Sequence, residues 1–362
     1  MSCDQTSVSI GDFPGTTVTK LKAAAAELAS RGGGTLLIPP GSYELASAEL
    51  VTPVELTDNV TVEGCGSKLT ITGTLITSAV FRALNVSNIE IRNISCIGNS
   101  QADAYVNGCF FFYTKSTSAA QRGVRVRNVH LENFKAMHWI YIANQDENTP
   151  LRDVLIEHLT SKSISGNYIS NAITHNSSVI CIQGGDYDSI DQAYVDNVVI
   201  RQVDCDCNYM KTGIILYHSV CNAILEDIIV RNAGFDAAFA NDKGSYGLQI
   251  YDKWGNGRGV DIRRVEVSAK SCGIYVAGFR DILIDGIIAH GQTDIENSTL
   301  PKGAVVFNGA RDYVLRNARI YNCAFGLAMV GPSIGGYRTN ASIEKVQIYD
   351  AVTRPVIISP FA

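Results

Sequence analysis

The chain has 362 residues, of which 46% are hydrophobic and 18% are charged. That is enough apolar sequence for a large core, and its even distribution predicts one elongated domain. The formal net charge of −5 offers no basic field for nucleic acid or for an anionic membrane surface. No apolar stretch approaches the roughly 20 residues that a membrane-spanning helix requires, so we expect neither nucleic acid nor a membrane as a partner.

The chain begins MSCDQTSVSIGDF, without the charged and apolar regions of a secretory signal. A cytosolic protein, a phage-borne protein and a secreted protein whose signal has been removed are all compatible with this start. The first predicted element is a short helix in TTVTKLKAAAAELASRGGG. Val18, Leu21, Ala25 and Leu28 lie on one face of it, and the glycines end it.

A strand motif recurs after this helix. NIEIRNISCIGNS from Asn88, RGVRVRNVHLENF from Arg122 and RGVDIRRVEVSA from Arg258 all alternate apolar and polar residues, break at a polar residue, and resume. The step between repeats ranges from 22 residues (Val265 to Ile287) to 44 residues (Leu159 to Val203). The apolar residues just after the breaks are Ile94, Val129, Leu159, Val203, Ile228, Val265, Ile287, Ala318 and Val346.

A second family of strands lies between these motifs. It includes GIILYHS from Gly213, GLQIYDK from Gly247, GIYVAGF from Gly273, AVVFNGA from Ala304 and GLAMVGP from Gly326. Constant strand motifs at irregular spacing, with no helix between them, predict a solenoid whose inserts are surface loops. The fold class we predict is all-β, a single-stranded parallel β-helix over residues 35–362. Residues 1–34 form an N-terminal segment whose helix caps the open end of the coil.

The register of this coil is predicted by a column of outward charged residues. The position before the break is occupied by Arg92, Arg127, Glu157, Arg201, Glu226, Arg263, Asp285, Arg316 and Glu344. From Arg127 onward the charges alternate in sign, which predicts attraction between successive coils. A neighbouring column is apolar at Leu155, Val199, Ile224, Leu283 and Val314. It predicts cover by a loop, a terminal segment or another subunit, so a homo-oligomer such as a trimer is one expectation.

Polar residues at the breaks, such as Asn93, Asn128 and Asn317, tolerate a bent backbone and can form hydrogen bonds along the stack. The ten cysteines show neither CxxC nor paired-histidine spacing. This pattern disfavours a zinc module, and we expect most of the cysteines to be small buried hydrophobic residues.

The stretch RGGGTLLIPPGSYEL (31–45), followed by NVTVEGCGSKLTITG (59–73), resembles the N-terminal opening of the pectate lyase-like superfamily. The specific resemblance covers about forty residues, and the strand motif extends the general resemblance to nearly the whole chain. It implies a right-handed parallel β-helix that acts on a polysaccharide or oligosaccharide. Lyases, uronate epimerases, glycoside hydrolases and tailspikes share this opening, so it does not select a reaction. The catalytic motifs of the alginate epimerases and the polygalacturonases are absent, and no catalytic residue is transferred.

A candidate site follows from aligning GIILYHS with GLQIYDKWGNGR. The alignment places Tyr217 beside Tyr251 and His218 beside Asp252, with Gln183 on the preceding turn leading into GGDYDSID. The predicted catalytic residues are His218, Asp252, Tyr251, Lys253, Asp186 and Asp188. The predicted substrate-binding residues are Tyr217, Trp254, Arg258 and Gln183.

These residue types suit a β-eliminating lyase acting on a uronate-containing glycan. Arg258, or a Ca²⁺ ion held by Asp186 and Asp188, would neutralise the carboxylate, and no other cofactor is expected. His218 or Lys253 would remove the C5 proton, and Tyr251 would protonate the leaving oxygen. We expect His218→Ala and Asp252→Asn to lower activity without unfolding the protein.

Other interpretations remain open at this point. A glycoside hydrolase would use a carboxylate pair drawn from Asp186, Asp188, Asp252 and Asp242. A tailspike-like protein would bind the glycan without cleaving it. The tyrosines can also form a structural stack, and the His218–Asp252 pair an ordinary surface contact. His175, His290 and Glu296 in other inserts are further candidates for the site.

Overall fold

The structure is a computed structural model. It describes residues 6–73, 79–98, 108–115, 120–134, 137–146, 148–163, 177–185, 194–208, 210–234, 244–293, 302–331 and 340–359. Within these ranges there is one α-helix, α1 (Thr17–Ser30), two 3₁₀-helices (Ile10–Asp12 and Ser47–Glu49) and twenty-four strands. No helix in these ranges is long and apolar enough to cross a membrane.

The strands, in chain order, are β1 (Ser7–Ser9), β2 (Gly34–Leu37), β3 (Ser42–Ala46), β4 (Val54–Leu56), β5 (Val60–Thr72), β6 (Phe81–Leu84), β7 (Ile89–Ile97), β8 (Phe110–Thr114), β9 (Gln121–Glu132), β10 (His138–Asn144), β11 (Leu151–Lys162), β12 (Ser178–Gly184), β13 (Val195–Asp206), β14 (Thr212–His218), β15 (Val220–Ala233), β16 (Tyr246–Tyr251), β17 (Arg258–Ala269), β18 (Cys272–Ala277), β19 (Arg280–His290), β20 (Gly303–Asn308), β21 (Arg311–Arg316), β22 (Arg319–Val330), β23 (Ala341–Glu344) and β24 (Gln347–Ser359).

These strands wind into a coil. The ladders among them are parallel, and from β4 onward each strand pairs with the strand two positions further along the chain. The long strands β9, β11, β13, β15 and β17 bend in the middle and supply two faces of the coil, which we call the first and second faces. The short strands β8, β10, β12, β14, β16, β18 and β20 supply the third face. The prediction of a parallel β-helix is confirmed.

The bend between the first and second faces is formed by residues with left-handed backbone. Asn93, Asn128 and Asn317 have φ angles of 56°, 50° and 53°, as the sequence pattern predicts. Asn128 Nδ2 donates to Asn93 Oδ1 at 3.0 Å, which extends the stack from one coil to the next. His158 and Arg264 occupy the same bend with φ angles of 54° and 50°. The coil therefore imposes this conformation on residues other than asparagine.

Inward side chains form one continuous core from Val8 to Leu327. Helix α1 closes the N-terminal end, because its predicted apolar face of Val18, Leu21, Ala25 and Leu28 is buried. The Thr16 side chain caps the helix by accepting a hydrogen bond from the Thr19 amide at 3.2 Å. Strand β2 then begins at Gly34.

The predicted charge column has the expected register from Arg127 through Glu157 and Arg201 to Glu226. Glu157 is buried and accepts hydrogen bonds from Arg127 Nε at 2.5 Å and from Arg201 Nε at 2.7 Å. Burial is the largest single influence and raises the pKa of Glu157. The two arginines together outweigh it, so the pKa lies below its ordinary value. Glu157 therefore remains ionised between two cations.

Two further expectations concern the outer surface and the cysteines. Leu155, Val199 and Ile224 occupy one outward column as predicted, and Ile224 is 41% exposed. Association through this column stays a prediction. The nine cysteines in the described ranges are free, and all but Cys65 are buried, which confirms their expected packing role.

Candidate functional site

The outer side of the third face carries the tyrosines that the sequence placed together. Tyr217 pairs with Tyr251 in the ladder between β14 and β16, and Gln183 pairs with Tyr217 on the preceding coil. The two tyrosine rings lie 5.2 Å apart between centroids and are tilted by 41°. Both rings are half-buried, so each presents part of its surface to solvent. The predicted alignment of these strands is confirmed.

Three more aromatic residues, which were not predicted from the sequence, extend this surface toward the N-terminus. Phe111 lies 5.8 Å from Tyr113 and 5.3 Å from Tyr141, measured between ring centroids. The Tyr141 hydroxyl donates to Gln183 Oε1 at 2.9 Å. We call Phe111, Tyr113, Tyr141, Gln183, Tyr217 and Tyr251 the aromatic face. Because adjacent strands are about 4.8 Å apart, the five strands from β8 to β16 give it a length of about 19 Å.

Alternation within FFFYT and HWIYIAN could have revealed these aromatic residues. Phe110 and Phe112 are buried in the core, so Phe111 and Tyr113 between them must point outward. The same alternation applies to Tyr141, which lies between the core residues Ile140 and Ile142.

Further along the third face, the outward tyrosines are buried. Tyr246 and Tyr275 lie 5.3 Å apart, and Asn308 Nδ2 donates to the Tyr275 hydroxyl at 2.9 Å. Burial raises the pKa of Tyr275 to about 12 and raises the pKa of Tyr246 well above its usual value. These two phenols therefore contribute to packing and are poor proton-transfer groups.

His218 and Asp252 lie next to each other, but the structure places them in the wall of the coil. His218 is 1% exposed and Asp252 is 0% exposed. His218 Nδ1 is 3.8 Å from Asp252 Oδ1, and the imidazole contacts Tyr217 edge-on with ring centroids 4.4 Å apart. The interpretation as an ordinary surface pair is wrong because neither side chain reaches the surface. A substrate on the aromatic face would meet the tyrosines first.

Asp252 closes the loop at residues 252–257 that connects β16 to β17. One carboxylate oxygen accepts from the Trp254 amide at 2.8 Å, and the other accepts from the Gly257 amide. Burial, the largest single influence, raises the pKa of Asp252. The neighbouring His218 and the hydrogen bonds from the Trp254 and Gly257 amides together lower it below its ordinary value. The ionised carboxylate ties the two ends of the loop together, so Tyr251 and Arg258 lie on either side of its narrow neck.

The loop itself carries a cation and unsatisfied donors. Lys253 Nζ lies 4.7 Å from the centroid of the Trp254 ring, which is a cation–π contact. Trp254 Nε1 and Asn256 Nδ2 are buried donor atoms with no acceptor among the described residues. The predicted residues Lys253, Trp254 and Arg258 are therefore gathered at this loop, beside Tyr251.

Arg258 belongs to a row of basic residues at the corner between the third and first faces. Arg258 pairs with Arg280 between β17 and β19, and Arg280 pairs with Arg311 between β19 and β21. Neither Arg258 nor Arg280 forms an ion pair with any residue that the structure describes. Only Arg258 was predicted from the sequence, although the arginine that opens RGVDI, RDILI and RDYVL marks the same corner in these three repeats.

A cavity of about 360 Å³ opens at this corner. Arg152 lies at one side and Arg258 at the other, with Tyr194 and Asp196 also in its lining. The Arg258 guanidinium carbon lies 5.7 Å from the Tyr194 ring centroid, and Arg152 Nε is 3.8 Å from Asp196 Oδ2. The remaining lining residues are Asn148, Pro150, Cys221 and Asn222. The Arg258 guanidinium beside the Tyr194 ring favours a planar anion such as a carboxylate, whereas Arg152 already faces the Asp196 carboxylate.

Several predicted residues cannot be placed. Asp186 and Asp188 lie outside the described residues, and so do His175, Asp242 and Glu296. The calcium site predicted at Asp186 and Asp188 therefore stays a prediction. Among the residues that are described, no three His, Cys, Asp or Glu side chains are grouped to hold a metal ion. His290 lies on the second face, where its ring stacks on Tyr321 at 4.9 Å, so it is not part of the aromatic face.

The parallel ladders, the three-faced coil and the capping helix define a parallel β-helix, and solved structures share this architecture across nearly the whole chain. The A-module of the mannuronan C-5 epimerase AlgE6 from Azotobacter vinelandii matches with a TM-score of 0.61 at 14% identity, over 98% of this chain and 100% of that chain. The Streptococcus pneumoniae surface protein and adhesin PfbA matches with a TM-score of 0.59 at 12% identity, over 98% and 100%.

Tailspike protein 3 of bacteriophage CBA120 matches with a TM-score of 0.51 at 11% identity, over 97% of this chain and 59% of that chain. No family model matches the sequence, and no curated protein matches it. At these identities the likeness concerns the fold alone. It confirms the right-handed parallel β-helix fold that the N-terminal motifs implied.

Proposed function

We propose that this protein is a carbohydrate-active enzyme that cleaves a uronate-containing polysaccharide by β-elimination on the aromatic face. The observation that carries the proposal is the loop closed by Asp252, whose bonds to the Trp254 and Gly257 amides hold together the two chain ends that carry Tyr251 and Arg258. A lyase must neutralise the uronate carboxylate, remove the C5 proton and protonate the leaving oxygen. An arginine beside a half-exposed phenol supplies the first and the last of these functions.

The aromatic face supports a carbohydrate ligand. Tyrosine and phenylalanine rings offer flat apolar surfaces against which sugar rings can pack. The length of about 19 Å along the coil axis suits an extended chain of several sugar units. Gln183 adds an amide that can exchange hydrogen bonds with hydroxyl groups.

The proton-transfer groups are reassigned by their exposure. His218 was the predicted base, but it lies behind Tyr217 and is almost fully buried. Tyr217, half-buried and 5.2 Å from Tyr251 between ring centroids, takes its place as the candidate proton acceptor, in its phenolate form, which becomes a neutral phenol when it takes the C5 proton. Tyr251 donates the proton to the leaving oxygen, and Arg258 binds the carboxylate. His218 and Asp252 act as positioning residues behind them.

A β-eliminating lyase is favoured over a hydrolase by the residues on this face. From β8 to β16, the described outward side chains include no carboxylate. A hydrolase requires two carboxylates that reach the substrate, whereas Asp252 is buried and bonded to backbone amides. One of the structural neighbours, the mannuronan C-5 epimerase, is named for action at the carbon from which a lyase removes its proton.

The function is tested by incubating the protein with a panel of acidic and neutral polysaccharides. A lyase produces reducing ends together with the ultraviolet absorbance of a new double bond conjugated to the carboxylate. Reducing ends without that absorbance would indicate a hydrolase. Retention of a polysaccharide without any new ends would indicate a tailspike-like or adhesin-like binding protein.

Arg258→Ala should weaken the binding of acidic oligosaccharides by about 10- to 100-fold, because it removes a charge-assisted contact to the carboxylate. The dependence of binding on salt concentration should fall as well. Isothermal titration calorimetry at two salt concentrations measures both effects. Arg319→Ala is the matched control, since Arg319 is exposed on β22 and lies on the second face. Equal weakening in the two variants would contradict a role specific to Arg258.

A further inference from the structure

The two ends of the coil differ. Helix α1 covers the N-terminal end, whereas the inward side chains of the last coil are open. Ile343, Val356 and Ile358 are 39%, 45% and 69% exposed. Their ladder partners one coil earlier include Leu315 and Leu327, which are buried in the core. Strand β24 pairs with β22 on one side and with no described strand on the other. An unpaired strand edge next to exposed core residues is a surface that readily associates.

We propose that this end binds a second copy of the chain, tail to tail, with β24 of the two copies antiparallel about a twofold axis at Val352. Val352 is 87% exposed, more than any other large hydrophobic residue among those described. A twofold interface uses the same patch on both copies, so the patch must be complementary to itself. The sequence of β24 meets this requirement in its charges, in its inward residues and in its one outward ring.

The charges are complementary about Val352. Asp350 precedes it by two residues and Arg354 follows it by two residues. Both are exposed, and neither forms an ion pair or a side-chain hydrogen bond with the described residues. The twofold axis places Asp350 of each copy opposite Arg354 of the other, which forms two equivalent ion pairs. Opposite charges directly across paired strands stabilise the pairing.

The apolar residues match in the same way. Ile348 and Val356 lie at equal separations from Val352, and both are inward, since their ladder partners Ile320 and Leu327 belong to the core. The axis stacks Ile348 of one copy on Val356 of the other and continues the core across the junction. Val346 and Ile358 form the next such pair outward.

The outward ring of Tyr349 also has a contact in the proposed dimer. Tyr349 stacks one side of its ring on Tyr321, with centroids 5.3 Å apart and planes at 6°. Its other side points past the end of the coil and would meet Pro355 of the second copy. The left-handed Asp350, with φ of 55°, turns β24 around the corner between the second and third faces. A twofold axis at this corner places the second face of each copy against the third face of the other. The cross-sections of the two coils therefore coincide where they meet.

The experiment is analytical ultracentrifugation of the full chain and four variants over a wide range of protein concentration. The wild-type protein should form a dimer that dissociates on dilution. Asp350→Arg alone and Arg354→Asp alone should each weaken the dimer by about 100-fold, because each brings like charges together twice. The double variant Asp350→Arg/Arg354→Asp should restore the dimer. Circular dichroism verifies that each variant is folded.

The fourth variant, Ile224→Asp, is the control for association through the apolar column on the first face. It should leave the dimer unchanged. A wild-type chain that stays monomeric up to its solubility limit would overturn the proposal. So would a dimer that resists both single charge changes, a double variant as weak as the single ones, or an assembly that Ile224→Asp disrupts. None of these outcomes depends on the enzymatic function proposed above.

Discussion

Tyr251→Phe is expected to lower the turnover number on an acidic polysaccharide by about 100- to 10,000-fold, the range for loss of a general acid or base. The substitution keeps the ring and removes only the hydroxyl, so the ring should continue to pack against Tyr217. The Michaelis constant should therefore change little. Initial rates across substrate concentration, followed by ultraviolet absorbance, measure both constants. Tyr217→Phe should show the same pattern.

Tyr275→Phe is the matched control for both variants. Tyr275 is an outward tyrosine of the same face and lies on β18, the strand that pairs with β16. Unlike Tyr251, it is buried, and its hydroxyl accepts a hydrogen bond from Asn308. Loss of the Tyr275 hydroxyl should lower the free energy of unfolding by about 1 kcal/mol and leave the turnover number unchanged. If Tyr251→Phe and Tyr275→Phe had equal turnover numbers, the phenol of Tyr251 would have no chemical role.

Asp252→Asn is expected to reduce the free energy of unfolding by about 3 kcal/mol, because a buried ionised carboxylate that holds two backbone amides and a histidine is replaced. This loss of stability is added to the sequence-based expectation that the variant loses activity without unfolding. Urea denaturation at neutral pH measures the change. Activity per folded molecule should also fall, since the loop neck that sets Tyr251 beside Arg258 loosens.

The pH dependence of stability gives a second measure of the same carboxylate. Its pKa in the folded protein is lowered, so its contribution is fully present above the pKa of the unfolded chain. That contribution is lost as the pH falls through the lower, folded-state pKa. Asp252→Asn should lack this acid-dependent part of the stability.

Glu157→Gln is the comparison for Asp252→Asn. Glu157 is equally buried and is bonded to Arg127 and Arg201 on the first face, away from the loop. It should lose a similar amount of stability and keep full activity per folded molecule. Equal loss of activity in both variants would mean that reduced stability alone explains the effect of Asp252→Asn.

The fold could be predicted from the sequence because each coil repeats the same local chemistry. Asn93 and Asn128 identify the bend, the inward Ile94 and Val129 follow it, and the alternating charges around Glu157 fix the register. These features depend on neighbours within a few residues or on one coil above and below, which a strand pattern reveals directly.

The candidate site was predicted in part. The pairing of Tyr217 with Tyr251 followed from register, and the structure confirms it. The burial of His218 and Asp252 could not be predicted from the sequence, because it depends on the path of the loop that Asp252 itself closes. The arginine at the first-face corner of three successive coils, Arg258, Arg280 and Arg311, was visible in the repeats. The role of Arg258 in binding could not be predicted, because the cavity at this corner forms only when several coils are assembled.

The capping helix and the open edge of β24 have a consequence for how the coil comes apart. In a solenoid each turn touches only the turns beside it, so loss of the last turn uncovers an edge much like the one that was lost. Unravelling can then proceed stepwise from an uncovered edge such as that of β24, while α1 makes the first step at a covered edge more costly. Anything that covers such an edge therefore protects every turn behind it.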